Sequence, residues 1–564
     1  MEAHIWEKSY PVGTQWGAPL PPAATIEHFL EKAADKLPER AAVTFYDQVL
    51  TYSELWQLAK RAARGLQQQG VGPGVQVGLH LSNCPQLVIC FFAILVAGGR
   101  VVLLNPELAE GEIRNQVADS EIRLAITFAA TKISERIAPL LKSGDLDTLV
   151  VCTAEDLPCR GILSVSPSFY RTPEPREMKF KDLIANDGLF VYHPRGALDR
   201  EIAVILYTGG TTGLPKGVML SHAGLCAMVN IDLAWTGNCR RYGKDTTLVV
   251  LPLFHVFGMS ILMLSSIAAA AHIVLHVRFD PEQILLDIKR MRVTTFAAVP
   301  TMYAAIIDLL ESKISDLSSL RYCTCGGAPI AADMLAKFET LTGQMLREGY
   351  GLTETAAVAA MHPLEGPIRP GTVGVPQPHT VIEIVDFETG MTVLPHGEQG
   401  EVCIRGPQLM SGYWKQPDET AFVFRGNRFH TGDIGFLDQD GYLTLADRKK
   451  DMIISLGHKV FPRQIEAAIY MHPDVNEVIV IGIPHPELGQ AAKAFIAFKP
   501  GRPELSLRKV AAFLSNKLAW FEIPVAVEIR PSLPKTAVGK LSKKKLLDEI
   551  DVATRLSSAS DAAY

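Results

Sequence analysis

No excess of one charge sign marks this 564-residue chain: 55 lysines and arginines face 60 acidic residues, for a net charge of −5. A nucleic-acid binder usually presents a basic face, so nucleic acid is excluded as an expected partner. Cysteine is sparse and scattered. Nine residues, an odd number, cannot close a complete disulfide framework, and the reducing cytoplasm is the expected compartment. Cys323 and Cys325 lie close together, but no second pair and no histidine cluster joins them, which argues against a zinc site. Long apolar runs are missing as well. The opening MEAHIWEKSYP is charged and has no apolar centre, so it does not read as a signal peptide. Residues 87–99 are too short to span a bilayer. Residues 258–275 are nearly long enough, but their alanines, serines and His272 read as a buried helix running into a strand. No transmembrane span is expected, and peripheral membrane contact stays open. No internal repeat is evident.

What is present is a globular composition, 48% hydrophobic and 20% charged, over a length that calls for two or more domains. Apolar, strand-like runs occur at residues 76–81, 100–104, 124–128, 148–152, 203–207, 247–251 and 295–299. Helical patterns such as residues 53–69 separate many of them. That alternation predicts an α/β fold of sheets covered by helices. After Gly400 the runs shorten and are broken by glycine and aspartate, which predicts a small β-rich part built of hairpins. From about Asp451 a small α+β unit follows, with helices near 462–471 and 505–518 and strands near 475–483 and 492–498. The charged run at 447–451 is the joint. The expected division is an N-terminal domain 1–449, a C-terminal domain 450–550 and a flexible tail 551–564.

The densest chemical signal is YTGGTTGLPKGVMLSH, residues 207–222. An apolar strand from Ile202 ends in Thr208, Gly209, Gly210, Thr211, Thr212 and Gly213. Lys216 follows, and Ser221 is placed to cap what looks like a helix. Glycines let successive N–H groups turn inward around an anion, the threonines add hydroxyl donors, and Lys216 adds charge. This is chemistry for a polyphosphate; a plain glycine-rich turn is the alternative. It is not a Walker loop, which needs Gly-Lys followed by Ser or Thr, whereas Lys216 precedes Gly217. No Rossmann fingerprint stands here either.

The stretch resembles the phosphate loop of the adenylate-forming enzymes: acyl-CoA synthetases, luciferases and peptide-synthetase adenylation domains. The family's other signatures follow in its order across roughly residues 20–547. LPLFHVFG, ending at Gly258, resembles the segment beside the acyl pocket. It implies His255 as the residue that orients the substrate carboxylate, with Phe257, Gly258 and Met259 lining the pocket. One type of fatty-acid ligase has a gating tryptophan where Met259 stands, so that gate is not carried over. CGGAP resembles the loop between nucleotide and acyl group, implying Gly326, Gly327, Ala328 and Pro329. EGYGLTET implies nucleotide contacts at Glu348, Gly349, Tyr350, Gly351, Leu352 and Thr353. Of these, Tyr350 would stack on adenine, Thr353 would lie near the α-phosphate, and Gly351 would also border the acyl pocket. Glu354 and the Thr208 hydroxyl would hold Mg²⁺, a cation that prefers oxygen. Glu348 stands where many relatives have glutamine, and with Gly210 it leans toward bacterial medium- and long-chain fatty-acid ligases.

Asp433 in HTGDIG resembles the ribose ligand. Asp in a glycine turn is as often structural, but Arg448 matches the second ribose contact and Lys450 the hinge. Lys540 in PKTAVGK resembles the mobile catalytic lysine. The resemblance implies two steps with ATP, Mg²⁺ and coenzyme A: acyl-adenylate formation, then transfer to the thiol. A rotation of the small domain between steps would bring in residues 455–462, with Gly457 lining the pantetheine tunnel. One departure stands out: Trp520, Phe521 and Glu522 replace the usual basic or aromatic segment thought to help hold coenzyme A. The pocket residues are small and apolar, without a lysine or arginine for a second carboxylate, so a hydrophobic monocarboxylic acid is expected. A fatty acid is the first reading and an aryl acid of the coumarate or benzoate kind the second. A nucleotide sensor without turnover is the third, and intact Thr208, Glu354, Asp433, Arg448 and Lys540 argue against it. No carrier domain follows the small domain, so the expected thiol is coenzyme A. The expected state is monomer or homodimer.

Overall fold

The computed structural model describes residues 4–157, 177–208, 215–313, 315–328, 330–366, 368–456, 458–502, 505–535 and 541–550. The chain divides into two compact units. One comprises residues 1–382, 404–429 and 440–442; the other comprises 383–403, 430–439 and 443–564. The expected tail at 551–564 lies outside the described residues.

The first unit holds two large sheets. In the nine-stranded sheet the central order is Leu346–Tyr350, Tyr322–Gly326, Thr295–Ala298, Thr246–Val249, His272–Leu275 and Ala41–Phe45, all paired in parallel. In the eight-stranded sheet, Ile202–Thr208, Arg100–Leu103, Gln76–His80, Leu124–Phe128 and Thr148–Cys152 run parallel in that order. Parallel strands are buried on both faces, which is why they appear as continuous apolar runs. Val102, Ile113, Val117, Ile122, Ile137 and Leu149 form one core between sheet and helices. Leu248, Ile284, Phe296, Tyr303 and Phe338 lie in another. Each fully buried side chain of this kind contributes about 1.5–3 kcal/mol. The apolar segment Pro85–Val96 is a fully buried helix. Residues 258–275 run from helix into the strand His272–Leu275, as expected. Among the described residues no helix is long and apolar enough to cross a membrane.

The glycine-threonine loop corrects one expectation. It does not lead directly into a helix. The chain returns as an antiparallel strand, Lys216–Ser221, pairing with Ile202–Thr208. Only then does the helix His222–Thr236 begin, with the Gly224 N–H donating to Ser221 Oγ at 3.0 Å, so the predicted cap is present. The loop is the tip of a β-hairpin.

In the second unit, Asp433–Leu437 and Leu443–Arg448 form the expected antiparallel pair. A separate sheet joins Ile453–Ser455, His458–Val460, Val475–His485, Gly489–Phe498 and Ala526–Ile529. Against it lie the helices Pro462–Tyr470 and Leu507–Leu514, whose Ile465, Ile469, Val510 and Leu514 join the core.

Candidate active site

The hairpin carries the residues expected at the phosphate end of the site. Thr208 and Lys216 face each other in register at its mouth, with Thr208 Oγ1 3.5 Å from the Lys216 carbonyl. The tip, Gly209, Gly210, Thr211, Thr212 and Gly213, lies outside the described residues. The hairpin is anchored from both sides. The Tyr207 hydroxyl donates to Asp119 Oδ2 at 2.5 Å, and the Trp414 N–H donates to the Gly217 carbonyl at 2.7 Å. Burial and the neighbouring Asp119 charge push the Tyr207 phenol well above its ordinary pKa, so it remains a donor.

The short strand Gly412–Tyr413 extends the hairpin, with Tyr413 opposite Val218. It connects the hairpin to the next motif. The Tyr413 hydroxyl donates to Glu354 Oε1 at 2.9 Å, the Met410 N–H donates to the Glu354 carbonyl at 2.8 Å, and Lys216 Nζ lies 5.1 Å from the Tyr413 ring centroid. Lys216 also forms an ion pair with Glu419. Lys216 and Glu354, far apart in sequence, thus meet at one tyrosine, and Thr208 lies opposite Lys216 in the hairpin.

Glu354 stands on the single turn Thr353–Thr355, opened by the Leu352 N–H donating to Thr355 Oγ1 at 2.9 Å. The chain then turns through Ala356 at φ 53° and packs the Ala357 carbonyl onto Gly351. A Cβ at Gly351 would sit 1.6 Å from that oxygen, so only glycine fits. Left-handed alanine is strained, and such strain concentrates at functional sites.

The motifs EGY and CGG are adjacent strand ends. Glu348 pairs with Cys325 and Gly349 with Gly326, placing Tyr350 beside the loop of Gly327 and Ala328. Pro329 lies outside the described residues. A Cβ on Gly326 would come 3.2 Å from Phe257 Cε1, so Phe257 and Gly326 share one wall. His255 precedes it, partly exposed, with its Nδ1 accepting from the Phe257 N–H at 3.3 Å. Gly258 is required here, because a Cβ would meet the Pro252 carbonyl at 2.2 Å. Phe257–Leu264 winds as a wide helix in which the Ser265 N–H bonds the Ser260 carbonyl five residues back. Wide turns of this kind are frequent at functional sites. Met259 is fully buried.

In the second unit, Asp433 and Arg448 face each other across the hairpin, with Arg448 Nε 2.5 Å from Asp433 Oδ1. The Asp433 N–H donates to Thr431 Oγ1 at 3.0 Å. Lys449 Nζ lies 3.0 Å from Glu401 Oε2, and Lys450 is exposed on the following turn. Gly457 and Lys540 lie outside the described residues. The atypical segment Trp520–Glu522 is one helical turn whose Phe521 ring stacks on His458 at 4.1 Å.

Among the described residues no group of three or more His, Cys, Asp or Glu could hold a metal ion, and every described cysteine is a free thiol. One carboxylate and one hydroxyl nevertheless suit Mg²⁺, which takes few protein ligands when substrate phosphates supply the rest. Glu354, held by a phenol donor, and Thr208, at the hairpin mouth, fit that description. Sequence reasoning missed Tyr413 and Glu419. Their stretch, GYWKQPDET, has aromatics beside acids, but nothing local shows where they reach.

Comparison with known proteins identifies the family. The AMP-binding enzyme family model matches residues 30–414, and the AMP-binding enzyme C-terminal domain model matches residues 464–540. A long-chain-fatty-acid–CoA ligase of Bacillus subtilis (strain 168) is 35% identical over 559 residues, covering 96% of this chain and 98% of that protein. A feruloyl-CoA synthase of an Amycolatopsis species is 34% identical over 517 residues, covering 90% and 95%. The crystal structure of ATP-bound MatB from Rhodopseudomonas palustris superposes with a TM-score of 0.81 at 28% identity, covering 93% of this chain and 98% of that one. A match of this extent makes the chain a member of the AMP-binding, adenylate-forming enzyme family.

Proposed function

We propose that this chain is an ATP-dependent acid–thiol ligase that activates a hydrophobic monocarboxylic acid, a fatty acid, as its acyl-adenylate. It then transfers the acyl group to coenzyme A, releasing AMP and pyrophosphate. The observation that carries the reading is the meeting of Lys216 and Glu354 at Tyr413, with Thr208 paired to Lys216, next to the strand ends that bear Tyr350 and Gly326. That arrangement suits a polyphosphate and its counter-charge at one end and an apolar chain at the other.

A carboxylate is a poor acyl donor, because oxide is a hopeless leaving group. In the first step a carboxylate oxygen forms a bond to the α-phosphorus of ATP as the bond to pyrophosphate breaks. Both reactants are anions, so the work is positioning and charge neutralisation. Lys216, the loop N–H groups and Lys540 supply positive charge, and His255 orients the carboxylate. Bound at Glu354 and Thr208, Mg²⁺ would add further neutralisation. Asp433 and Arg448 would hold the ribose, Asp433 accepting from its hydroxyls. In the second step the thiolate attacks the acyl carbonyl and AMP leaves.

We assign residues 1–449 to adenylation and 450–550 to a mobile domain turning about Lys450, which exchanges Lys540 for the segment bearing Gly457. Free thiols throughout the described chain suit a cytoplasmic enzyme. An aryl acid is the second reading, because the feruloyl-CoA synthase is nearly as similar as the fatty-acid ligase.

The test is pyrophosphate release with ATP and Mg²⁺ over acetate, hexanoate, decanoate, palmitate, benzoate and coumarate, each with and without coenzyme A. Release that rises with alkyl length and turns over only with coenzyme A is expected. A response confined to the aromatic acids moves the assignment to the aryl ligases. Silence across the panel counts against ligase activity altogether.

A further inference from the structure

Tyr413 belongs to none of the motifs that point to the chemistry, yet it touches two of them. Its hydroxyl donates to Glu354 Oε1 at 2.9 Å, and its ring faces Lys216 Nζ at 5.1 Å. The side chain is buried, 6% exposed, and its strand is pinned. The Tyr413 N–H donates to Thr420 Oγ1 at 2.9 Å, and the Ser411 and Trp414 N–H groups donate to the hairpin carbonyls of Met219 and Gly217. On the other side, the Met410 N–H holds the Glu354 backbone carbonyl at 2.8 Å. One short segment, residues 410–414, therefore grips Glu354 by main chain and side chain and is itself stitched to the strand that carries Lys216.

We propose that Tyr413 is a positioning residue for magnesium-bound ATP: its hydroxyl sets the Glu354 carboxylate for the metal, and its ring sets Lys216 for the phosphates. The inference rests on the reading of the site given above. A carboxylate on a short turn has several rotamers, and only some direct an oxygen toward a cation shared with phosphate. A phenol donor at one oxygen selects among them, as outer groups generally orient metal ligands. The ring acts separately. A lysine over an aromatic face is held by the ring quadrupole, which adds to the Glu419 ion pair in holding Lys216 at the hairpin mouth. Hydroxyl and ring thus act on different charges, and substitution can separate them.

The experiment is calorimetric ATP binding to the full chain, in Mg²⁺ and again in EDTA. Tyr413→Phe keeps the ring and loses the hydroxyl. Its affinity in EDTA is expected to match wild type, while the gain in affinity on adding Mg²⁺ falls about tenfold. Tyr413→Leu loses both, and its affinity in EDTA is expected to fall as well. Thermal melts without nucleotide establish that each variant is folded. An unaltered Mg²⁺ gain in Tyr413→Phe overturns the inference and leaves the ligase reading standing. An equal loss in both conditions also overturns it, because that marks a general structural defect. A wild-type chain that binds no ATP at all overturns the reading of the loop, and this inference with it.

Discussion

A carboxylate expected to hold a cation must be correctly turned, and Glu354 is held by neighbours that sequence does not reveal, the Tyr413 hydroxyl and the Met410 N–H. Glu354→Gln preserves the shape and the oxygen that accepts from Tyr413, but removes the charge. Acid-dependent exchange of pyrophosphate into ATP is expected to drop by about 10²–10³, the loss seen when one preorganised charge-stabilising contact is removed. Exchange at the wild-type rate would rule Glu354 out as the metal ligand. Glu354, Tyr350 and His255 could be singled out in the sequence because each sits in a contiguous motif that resembles one of the adenylate-forming family. Tyr413 was not, because its partner lies 59 residues away and only the fold joins them. A different set of residues governs acid stability. Burial pushes His80 and His222 down to about 3 and His272 to about 4. Each stays neutral in the folded chain at pH values where the unfolded chain, near 6.5, already takes up a proton. Unfolding therefore binds protons below about pH 6.5, so stability is full above that value and falls as pH drops. The melting temperature is expected to decline between pH 6.5 and 5, above the ordinary carboxylate range. A flat profile across that window would show that these histidines are not buried as described.

The hairpin and the strand ends show what an element contributes beyond its residues. Two antiparallel strands hold Thr208 and Lys216 opposite each other in register. Seven of the buried parallel strands were legible almost to the residue, since burial on both faces leaves one apolar run. The returning strand Lys216–Ser221 was not, because it opens with Lys-Gly and runs straight into a capped helix. The wide helix Phe257–Leu264 was also illegible: an apolar run looks the same whether its bonds span four residues or five. Ser221→Ala removes the cap of His222–Thr236 and is expected to cost about 1 kcal/mol, read as a lower denaturant midpoint with unchanged slope. A midpoint equal to wild type would mean that tertiary packing alone fixes that helix start. Gly326 tests the acyl wall. Valine there would press on Phe257, already within 3.2 Å of the position of an added Cβ. Under the fatty-acid reading, kcat/KM for palmitate is expected to fall about tenfold more than for hexanoate, since small steric changes in an apolar pocket discriminate by that order. An equal loss for both acids would separate Gly326 from the chain-binding part of the pocket.

For the molecule as a whole, one site is expected to perform two reactions, and the chain provides a place where that exchange is mechanically reasonable. Arg448 ends a strand locked to Asp433, and Lys449 is tied by its N–H to the Gly432 carbonyl and by Nζ to Glu401. Lys450 comes next, exposed, on the turn closed by the Asp451 N–H to the Arg448 carbonyl at 3.0 Å. Rigid backbone thus gives way to a free residue within two positions, where a large change in φ and ψ disturbs little packing. Proline at 450 fixes φ, and in the third position of this turn it also restricts the preceding residue. Lys450→Ala removes the side chain and leaves the backbone free. If rotation about this residue links the half-reactions, Lys450→Pro should retain most acyl-adenylate formation and lose thioester formation from supplied acyl-adenylate by at least about tenfold. Lys450→Ala should stay near wild type in both. Lys540→Ala is expected to show the opposite pattern, losing adenylation while still converting supplied adenylate, because that lysine would have left the site by the second step. Rapid-quench measurement of the two half-reactions on all three variants decides the matter. Normal thioester formation in Lys450→Pro would move the hinge elsewhere, and equal losses in both half-reactions for Lys540→Ala would argue that the small domain does not change places between steps.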